Sequence, residues 1–456
     1  MVFPIVGGNE SKATQQNSLR LNDDDSPHLD RTISSGADIN KFTYSFWVKR
    51  SSGFGNYQRI ISSDVTASKF LYIRFQNSDE FQAFHTAGGS TIFNLVTIAK
   101  FRDVNAWYHI VIKFDSTQST SSERAKLYIN GNQITDLEDN EQPSQNAVVQ
   151  FMNTSERQDI GYYKRTTSEY FDGYLADLNF IDGTASHTDF GEFDSTSNIW
   201  KHKDYEGSYG TYGYHLEFKE TGTSQNATGI GADTSGNDNH WAVTNLAATD
   251  VNVDTCTNNW CTLNPLDTPT SGSTFSEGNL KIDTSSGQQG FTRSTIAVSQ
   301  GKWYFETKIT TGNVREAVGI ALTEATLTDT TKAVHYYSRY GHVLKGNSLF
   351  STKATFGDND KIGVAFNLDD NTVAFYKNGS LQDTVTSIDS GTYSPIFRDG
   401  SDAYTGGGVL NFGNNGTFAG TETAQGNSDG NGYGDFYYSV PSGYYALNTK
   451  NLAEFG

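Results

Sequence analysis

Sulfur and proline are scarce in this chain: two cysteines, two methionines and seven prolines in 456 residues. Two cysteines exclude a multi-bridge disulfide scaffold. Cys256 and Cys261 also fall short of a zinc site, which takes four ligands. The nearest histidine, His240, lies 16 residues upstream of Cys256, with no second one at ligand spacing. Two free thiols, or one local bridge across Thr257–Trp260, fit the pair. Positive charge is short as well: 33 Lys and Arg stand against 52 Asp and Glu, a net charge of −19. Such a surface repels nucleic acid and anionic membranes, whose binding depends on Lys and Arg neutralising phosphate. It disfavours polyanionic glycans too, unless a bound cation bridges them, and it suits a protein hydrated in a salty medium. No segment approaches the ~20 apolar residues of a membrane span. The opening Met1-Val2-Phe3-Pro4-Ile5-Val6-Gly7-Gly8 has no basic n-region, so synthesis in a cytosol without a secretory step is the expectation. A sustained 3.6-residue apolar stripe is missing, so helix should be scarce.

What the chain does have is aromatic side chains. Only 35% of residues are hydrophobic, yet 29 are Phe and 25 are Tyr. Few, large apolar side chains in a Gly-, Ser- and Thr-rich background suit half-buried strands joined by many turns. Two stretches share one plan of alternation, Asn-Gly, then alternation. The first runs Trp107-Tyr108-His109-Ile110-Val111-Ile112-Lys113-Phe114, then Leu127-Tyr128-Ile129-Asn130-Gly131. The second runs Ile362-Gly363-Val364-Ala365-Phe366-Asn367-Leu368, then Val373-Ala374-Phe375-Tyr376-Lys377-Asn378-Gly379. Residues two apart share a strand face, which puts Tyr108, Ile110, Ile112 and Phe114 in one core-facing row. Asn-Gly supplies the two positive-φ residues of a type I′ turn. Phe42, Tyr44, Phe46 and Val48 form another such row, as do Trp303, Phe305 and Ile309. The fold class expected is all-β, two tandem antiparallel jelly-roll-like sandwiches. The length itself allows two large domains or three small ones.

Composition divides the chain into an N-terminal arm at 1–18, a sandwich at 19–249 and a turn-rich linker at 250–272. A second sandwich follows at 273–420, then a Gly/Asn-rich tail at 421–456. Leu263-Asn264 and Leu447-Asn448 recur near the ends of the two modules.

The first block resembles laminin-G-like (concanavalin A-like) jelly rolls. The likeness rests on Trp107-Tyr108-His109-Ile110, Leu127-Tyr128-Ile129-Asn130-Gly131, Phe171-Asp172-Gly173-Tyr174-Leu175 and the Asp233-Thr234-Ser235-Gly236-Asn237 loop. The second resembles a SPRY domain through Gly301-Lys302-Trp303-Tyr304-Phe305-Glu306, Val318-Gly319-Ile320-Ala321, Ile362–Asp369 and Phe375-Tyr376-Lys377-Asn378-Gly379. The opening Ser18-Leu19-Arg20-Leu21-Asn22 and the closing Tyr445-Ala446-Leu447-Asn448 are similar to framing sequences of modular virion proteins of marine bacteriophages. That resemblance implies a place on the virion surface, after synthesis in the host cytoplasm, among other virion proteins. SPRY loops imply protein segments as ligands of the Tyr336–Tyr340 region.

Sugar recognition uses aromatic faces against pyranose rings, with Asn and Asp fixing hydroxyls. The candidate clusters are Tyr162 with Tyr163, then Tyr205, Tyr209, Tyr212 and Tyr214, then Tyr336, Tyr337 and Tyr340. For each cluster taken singly, half-buried sandwich aromatics or contacts to a neighbouring subunit are the favoured reading. Asn427, Asp429, Asn431 and Asp435 alternate around Gly432 as in a calcium loop, although Tyr438 replaces the closing Glu; a flexible linker gives the same letters. Some glycosidases of this fold carry E-x-D-x-x-E on one strand, and Glu192-Phe193-Asp194 is the nearest match, lacking the final acid. No H-E-x-x-H or P-loop occurs. The reading that follows is a non-enzymatic phage surface protein, a fibre, knob or decoration protein. It would be homo-oligomeric and bind host-surface glycans or neighbouring subunits, with calcium as a candidate cofactor. A glycoside hydrolase and a purely architectural spacer are the alternatives.

Overall fold

The structure is a computed structural model that describes residues 16–456, apart from positions 35, 67, 154, 167, 270–271, 286–289, 312–315 and 400–404. Strand accounts for 46% of the chain and helix for 5%. The chain divides into two compact units, between Thr257 and Asn258.

In the first unit, two eight-stranded antiparallel sheets face each other across one core. The first sheet is centred on Lys41–Arg50, which pairs with Tyr108–Asp115 on one side and Gly173–Ile181 on the other. Phe42, Tyr44, Phe46 and Val48 all point inward and are fully buried, opposite Ile110, Ile112 and Phe114, as their period-two spacing requires. Tyr108 packs against the same core half-buried. The second sheet runs in the order Leu137–Glu141, Ser90–Lys100, Glu80–Ala87, Lys69–Phe75, Gln58–Thr66, Arg157–Ile160, His28–Thr32, Ala242–Thr244. Phenylalanines dominate the space between: Phe42 stacks on Phe114 at 5.1 Å and meets Phe151 edge-on at 5.4 Å. That is how a chain with few apolar residues fills a large core.

The second unit pairs an eight-stranded sheet, built around Lys302–Thr311 and Lys361–Asn367, with a six-stranded one built around Glu316–Leu322 and Tyr393–Asp399. Trp303, Phe305 and Ile309 share the buried face.

Both Asn-Gly turns form as expected. Asn130 and Gly131 have φ of 47° and 76°, and Asn378 and Gly379 have φ of 48° and 76°. Asparagine has a second task here. The Asn130 side-chain oxygen accepts the His109 backbone N–H at 2.8 Å, and Asn378 accepts that of Lys361 at 2.9 Å. Each turn is thereby pinned to the strand beside its hairpin. Gly131 also lies under Trp200, where an added Cβ would come 2.1 Å from the indole.

Two expected boundaries change. Residues 250–263, within the expected linker at 250–272, are folded. Val251–Asn252 pairs with Ser18–Leu21, and buried Asp254 accepts from Lys49, Trp107 and Ser18, all in the first unit. Trp260, Cys261 and Leu263 are buried in the second unit. Both cysteines are free thiols. The tail at 421–456 is likewise no linker: Phe436, Ala446, Leu447 and Asn448 are buried, and Tyr445–Ala446 adds a parallel strand to Lys302–Thr311. The helix Thr449–Phe455 closes it, capped by the Asn448 side chain accepting from Asn451 N–H at 2.9 Å. Hydrogen bonds from Asn and Asp do the anchoring, so the segment carries no apolar periodicity to read. Of the arm at 1–18, residues 1–15 lie outside the described residues, and Ser18 already belongs to the first sheet.

Candidate ligand-binding site

Strand alternation hides most of the aromatic candidates. Tyr162 is sandwiched between His28 at 4.6 Å and Tyr170 at 4.9 Å and is buried. Tyr163 is buried beneath the Arg59 guanidinium. Tyr214 is wholly inside the core, Tyr212 packs half-buried against it, and Tyr205 stacks on Phe190. Tyr209 donates its hydroxyl to Asn179 at 2.9 Å, its ring lying against His215. Tyr336 points into the second core and donates to the Ala354 carbonyl. These side chains are structural, which corrects the expectation of exposed sugar platforms at Tyr162, Tyr163 and Tyr336.

Tyr340 is different: 48% of it is exposed. It projects from the turn between Ala333–Tyr337 and His342–Lys345, with half-buried Tyr337 at 6.1 Å, His342 at 5.3 Å and the Arg339 guanidinium 5.2 Å over its ring. Arg339 also lines an open cleft of about 350 Å³, with Phe356, Gly357, Asp360 and Lys377. Burial pushes the Asp360 carboxyl up, but hydrogen bonds from Asn378, the Gly357 N–H and Lys377 outweigh it and hold the group below the usual carboxylate range. The cleft thus presents a fixed anion, two cations and an adjoining aromatic ring, the elements that orient hydroxyls or a peptide segment.

The calcium expectation meets a different geometry. Asp429 Oδ1 accepts the N–H groups of Asn431 and Tyr433, and Oδ2 accepts those of Ala446 and the Asn451 amide, at 2.7–3.0 Å. Asn431 turns its amide NH₂ to Asn451 and Glu454, Asn427 donates to the carbonyls of Phe436 and Tyr437, and Asp435 accepts from Gly426 N–H. The oxygens are spent on N–H donors instead of converging on a cation. Among the described residues no group of three or more His, Cys, Asp or Glu side chains is arranged to hold a metal. Asp233 works in the same way, accepting from His215, Ser235 and Asn239 N–H groups. On the strand Gly191–Phe193 and the turn after it, Glu192 is exposed, while Asp194 caps Thr196 and Ser197 and pairs with Lys201.

A buried polar cluster escaped the sequence reading. On the outer face of the first sheet, Asp177 interrupts its strand at a bulge with a left-handed φ of 47°. Its Oδ2 meets His202 Nε2 at 2.9 Å and its Oδ1 meets His215 Nε2 at 2.8 Å. Burial opposes the Asp177 charge, but the two imidazoles hold its carboxyl well below the normal range. Burial likewise lowers His202 and His215, and Asp177 more than reverses this, raising both. Neighbouring His109, pushed down to about 3 by burial, accepts the Trp200 indole N–H at 3.0 Å. The cluster ties the separate Trp200–His202 strand to Tyr214–Leu216, which itself pairs with Gly173–Ile181 in the sheet. Three histidines at outward strand positions in a chain with only nine were its one sequence signal.

The two paired-sheet units define a β-sandwich binding or scaffold module. The family model for the concanavalin A-like lectin/glucanases superfamily matches residues 23–189, and the SPRY domain model matches residues 302–399. The chain therefore carries a laminin-G-like (concanavalin A-like) domain followed by a SPRY domain. Among solved structures it is similar to the SPRY domain of human HERC1, with 17% identity, 32% of this chain and 96% of that chain covered, and a TM-score of 0.30. It is also similar to the TRIM65 PSpry domain, with 11% identity, 33% and 92% covered, and a TM-score of 0.29. No curated protein matches it.

Proposed function

We propose that this chain is a non-enzymatic bacteriophage surface protein, displayed on the virion as a fibre, knob or decoration subunit. It binds host-surface glycans or neighbouring virion subunits through sandwich loops. The observation that carries the reading is the exposed Tyr340 ring beside the open cleft of Arg339, Asp360 and Lys377. The acidic composition and the framing segments that resemble phage virion proteins support the setting. Shallow sites of this kind gain strength from many copies on one particle, and self-association supplies those copies. The test is binding of the purified chain to an array of glycans that includes host envelope polysaccharide. Tyr340→Ala and Arg339→Ala are each expected to weaken selective binding at least tenfold without shifting the melting temperature. A blank array from folded protein supports the architectural spacer instead, and release of reducing sugar supports the hydrolase.

A further inference from the structure

At one rim of the first unit stands a buried carboxylate with an unpartnered oxygen. Asp172 precedes Gly173, which pairs with Leu21 on one side and Arg50 on the other. Continuing both registers by one residue puts Asp172 between Asn22 and Ser51, and the Ser51 N–H donates to its carbonyl at 3.2 Å. Asp172 is 1% exposed. Its Oδ2 accepts the Ser52 N–H at 3.0 Å and the Ser52 hydroxyl. Its Oδ1 accepts a hydrogen bond from no described residue. On the Asn22 side the chain turns through Asp23, Asp24 and Asp25.

A buried acceptor without a donor is costly, and the neighbouring turn adds negative charge to it. Burial raises the Asp172 carboxyl to about 7; Asp23 and then Asp24 push the same way, against the Ser52 hydrogen bonds. Burial and Asp24 raise Asp23 in turn. The cations around Asp172 have other partners. Arg50 shares the core-facing row of Phe46 and Val48 and lies against Phe75. It gives Nε to Gln58 and Nη1 to Asp79 and the Phe101 carbonyl. On the outward face Lys49 pairs with Asp254, and Arg20 with Asp250. Asp25 is occupied as well, accepting the Asn22 amide at 2.7 Å. That leaves Asp172 Oδ1 and the half-buried Asp23 carboxylate, whose hydrogen bonds are to N–H groups of its own turn.

We propose that Asp172 Oδ1 and the Asp23 carboxylate hold a calcium ion, with main-chain carbonyls of the turn and water completing its shell. The donors at this rim are hard oxygens, which select an alkaline-earth cation over zinc or copper. A short turn accommodates the irregular shell of calcium better than the strict octahedron of magnesium. Carbonyls and water supply the other ligands, so no third acidic side chain is required. Two carboxylates and a partly exposed turn set the affinity at about 10⁻⁴–10⁻³ M, the range of extracellular modules. The ion clamps the turn after Ser18–Leu21 to the end of Gly173–Ile181, a central strand of the first sheet. This site is independent of the adhesion reading and stands or falls without it.

The test is calorimetric titration of the full chain, stripped with chelator, with CaCl₂ and in parallel with MgCl₂, alongside melting of the first unit. The expected result is one calcium site in that range and a much smaller response to magnesium. Excess calcium should raise the melting temperature of the first unit by about 3 °C or more. Asp172→Asn can turn an NH₂ toward Asp23, so it should lose the calcium response while melting no lower than the unaltered chain in chelator. Asp23→Asn should weaken binding by roughly tenfold or more, and Asp435→Asn, in the second unit, should leave it unchanged. No calcium binding by the unaltered chain overturns the proposal, as does binding retained in folded Asp172→Asn. An equal response to magnesium also overturns it, since screening of a chain with net charge −19 acts that way. A first unit that ignores calcium and loses stability as pH rises through about 7 holds a proton in place of the ion, which overturns it too. Titration of the unaltered chain decides the matter even where a variant fails to fold.

Discussion

Glu306 stands fully buried on Lys302–Thr311 and holds the C-terminal segment against the sheet. Its Oε1 accepts Tyr438 N–H at 2.8 Å and the Tyr304 hydroxyl at 3.1 Å; its Oε2 accepts Tyr437 N–H at 2.8 Å and the Asn411 amide at 3.3 Å. Burial raises the carboxyl from 4.5 to about 7, and the four donors oppose that shift. An acid whose folded pKa is raised contributes its full stability below the unfolded pKa and loses it as pH climbs through the folded one. At about 1.4 kcal/mol per unit, the window from 4.5 to about 7 corresponds to roughly 3 kcal/mol. Glu306→Gln removes the titration and leaves one NH₂ facing a backbone N–H, which costs about 1–3 kcal/mol at every pH. The stability advantage of the unaltered chain over Glu306→Gln should therefore fall by about 3 kcal/mol from pH 4.5 to 7, reaching zero or reversing in favour of the variant, and stay level above. Scanning calorimetry of both proteins across pH 4.5–8.5, following the transition that the substitution shifts, measures this difference directly. A flat difference, or one that grows with pH, would refute the reasoning and show that the four hydrogen bonds outweigh burial.

Asp177→Asn keeps the shape of the buried cluster but strips His202 and His215 of their counter-charge, and should cost the first unit about 3–5 kcal/mol, as breaking a buried ion pair does. The depressed Asp177 adds stability above its unfolded pKa, and the raised histidines add theirs below their own. Denaturant unfolding should thus show the largest loss between about pH 4 and 6.5, shrinking on either side. Asp429→Ala should destabilise the second unit by about 3 kcal/mol, since four donors lose their acceptor, whereas chelator should leave the melting temperature of that unit in the unaltered chain within a degree. A calcium-dependent rise of several degrees in the second unit would contradict the hydrogen-bonded account of that loop.

Much of the fold was legible in the sequence because strand periodicity and turn chemistry are local. Phe42, Tyr44, Phe46 and Val48 announce a buried face by their spacing alone, and Asn130-Gly131 and Asn378-Gly379 announce two hairpins by the φ values they tolerate. Burial of the tyrosines was not legible: Tyr162, Tyr336 and Tyr340 look alike as letters, and only the packing around each separates a core ring from a surface one. The same holds for Asp429, where alternating oxygens read as a cation loop until the N–H groups of Ala446 and Asn451 arrive from further along the chain. Asp177 meets His202 and His215 across 25 and 38 residues of sequence, and Asp172 comes beside the Asp23 turn only through strand register. The sequence by itself determined two all-β units, their strand faces and their turns, since each follows from the conformational preferences of neighbouring residues. Tertiary structure alone decided where charge is buried, which ring faces solvent and which carboxylate is already satisfied, because those depend on groups that only folding brings within hydrogen-bonding distance.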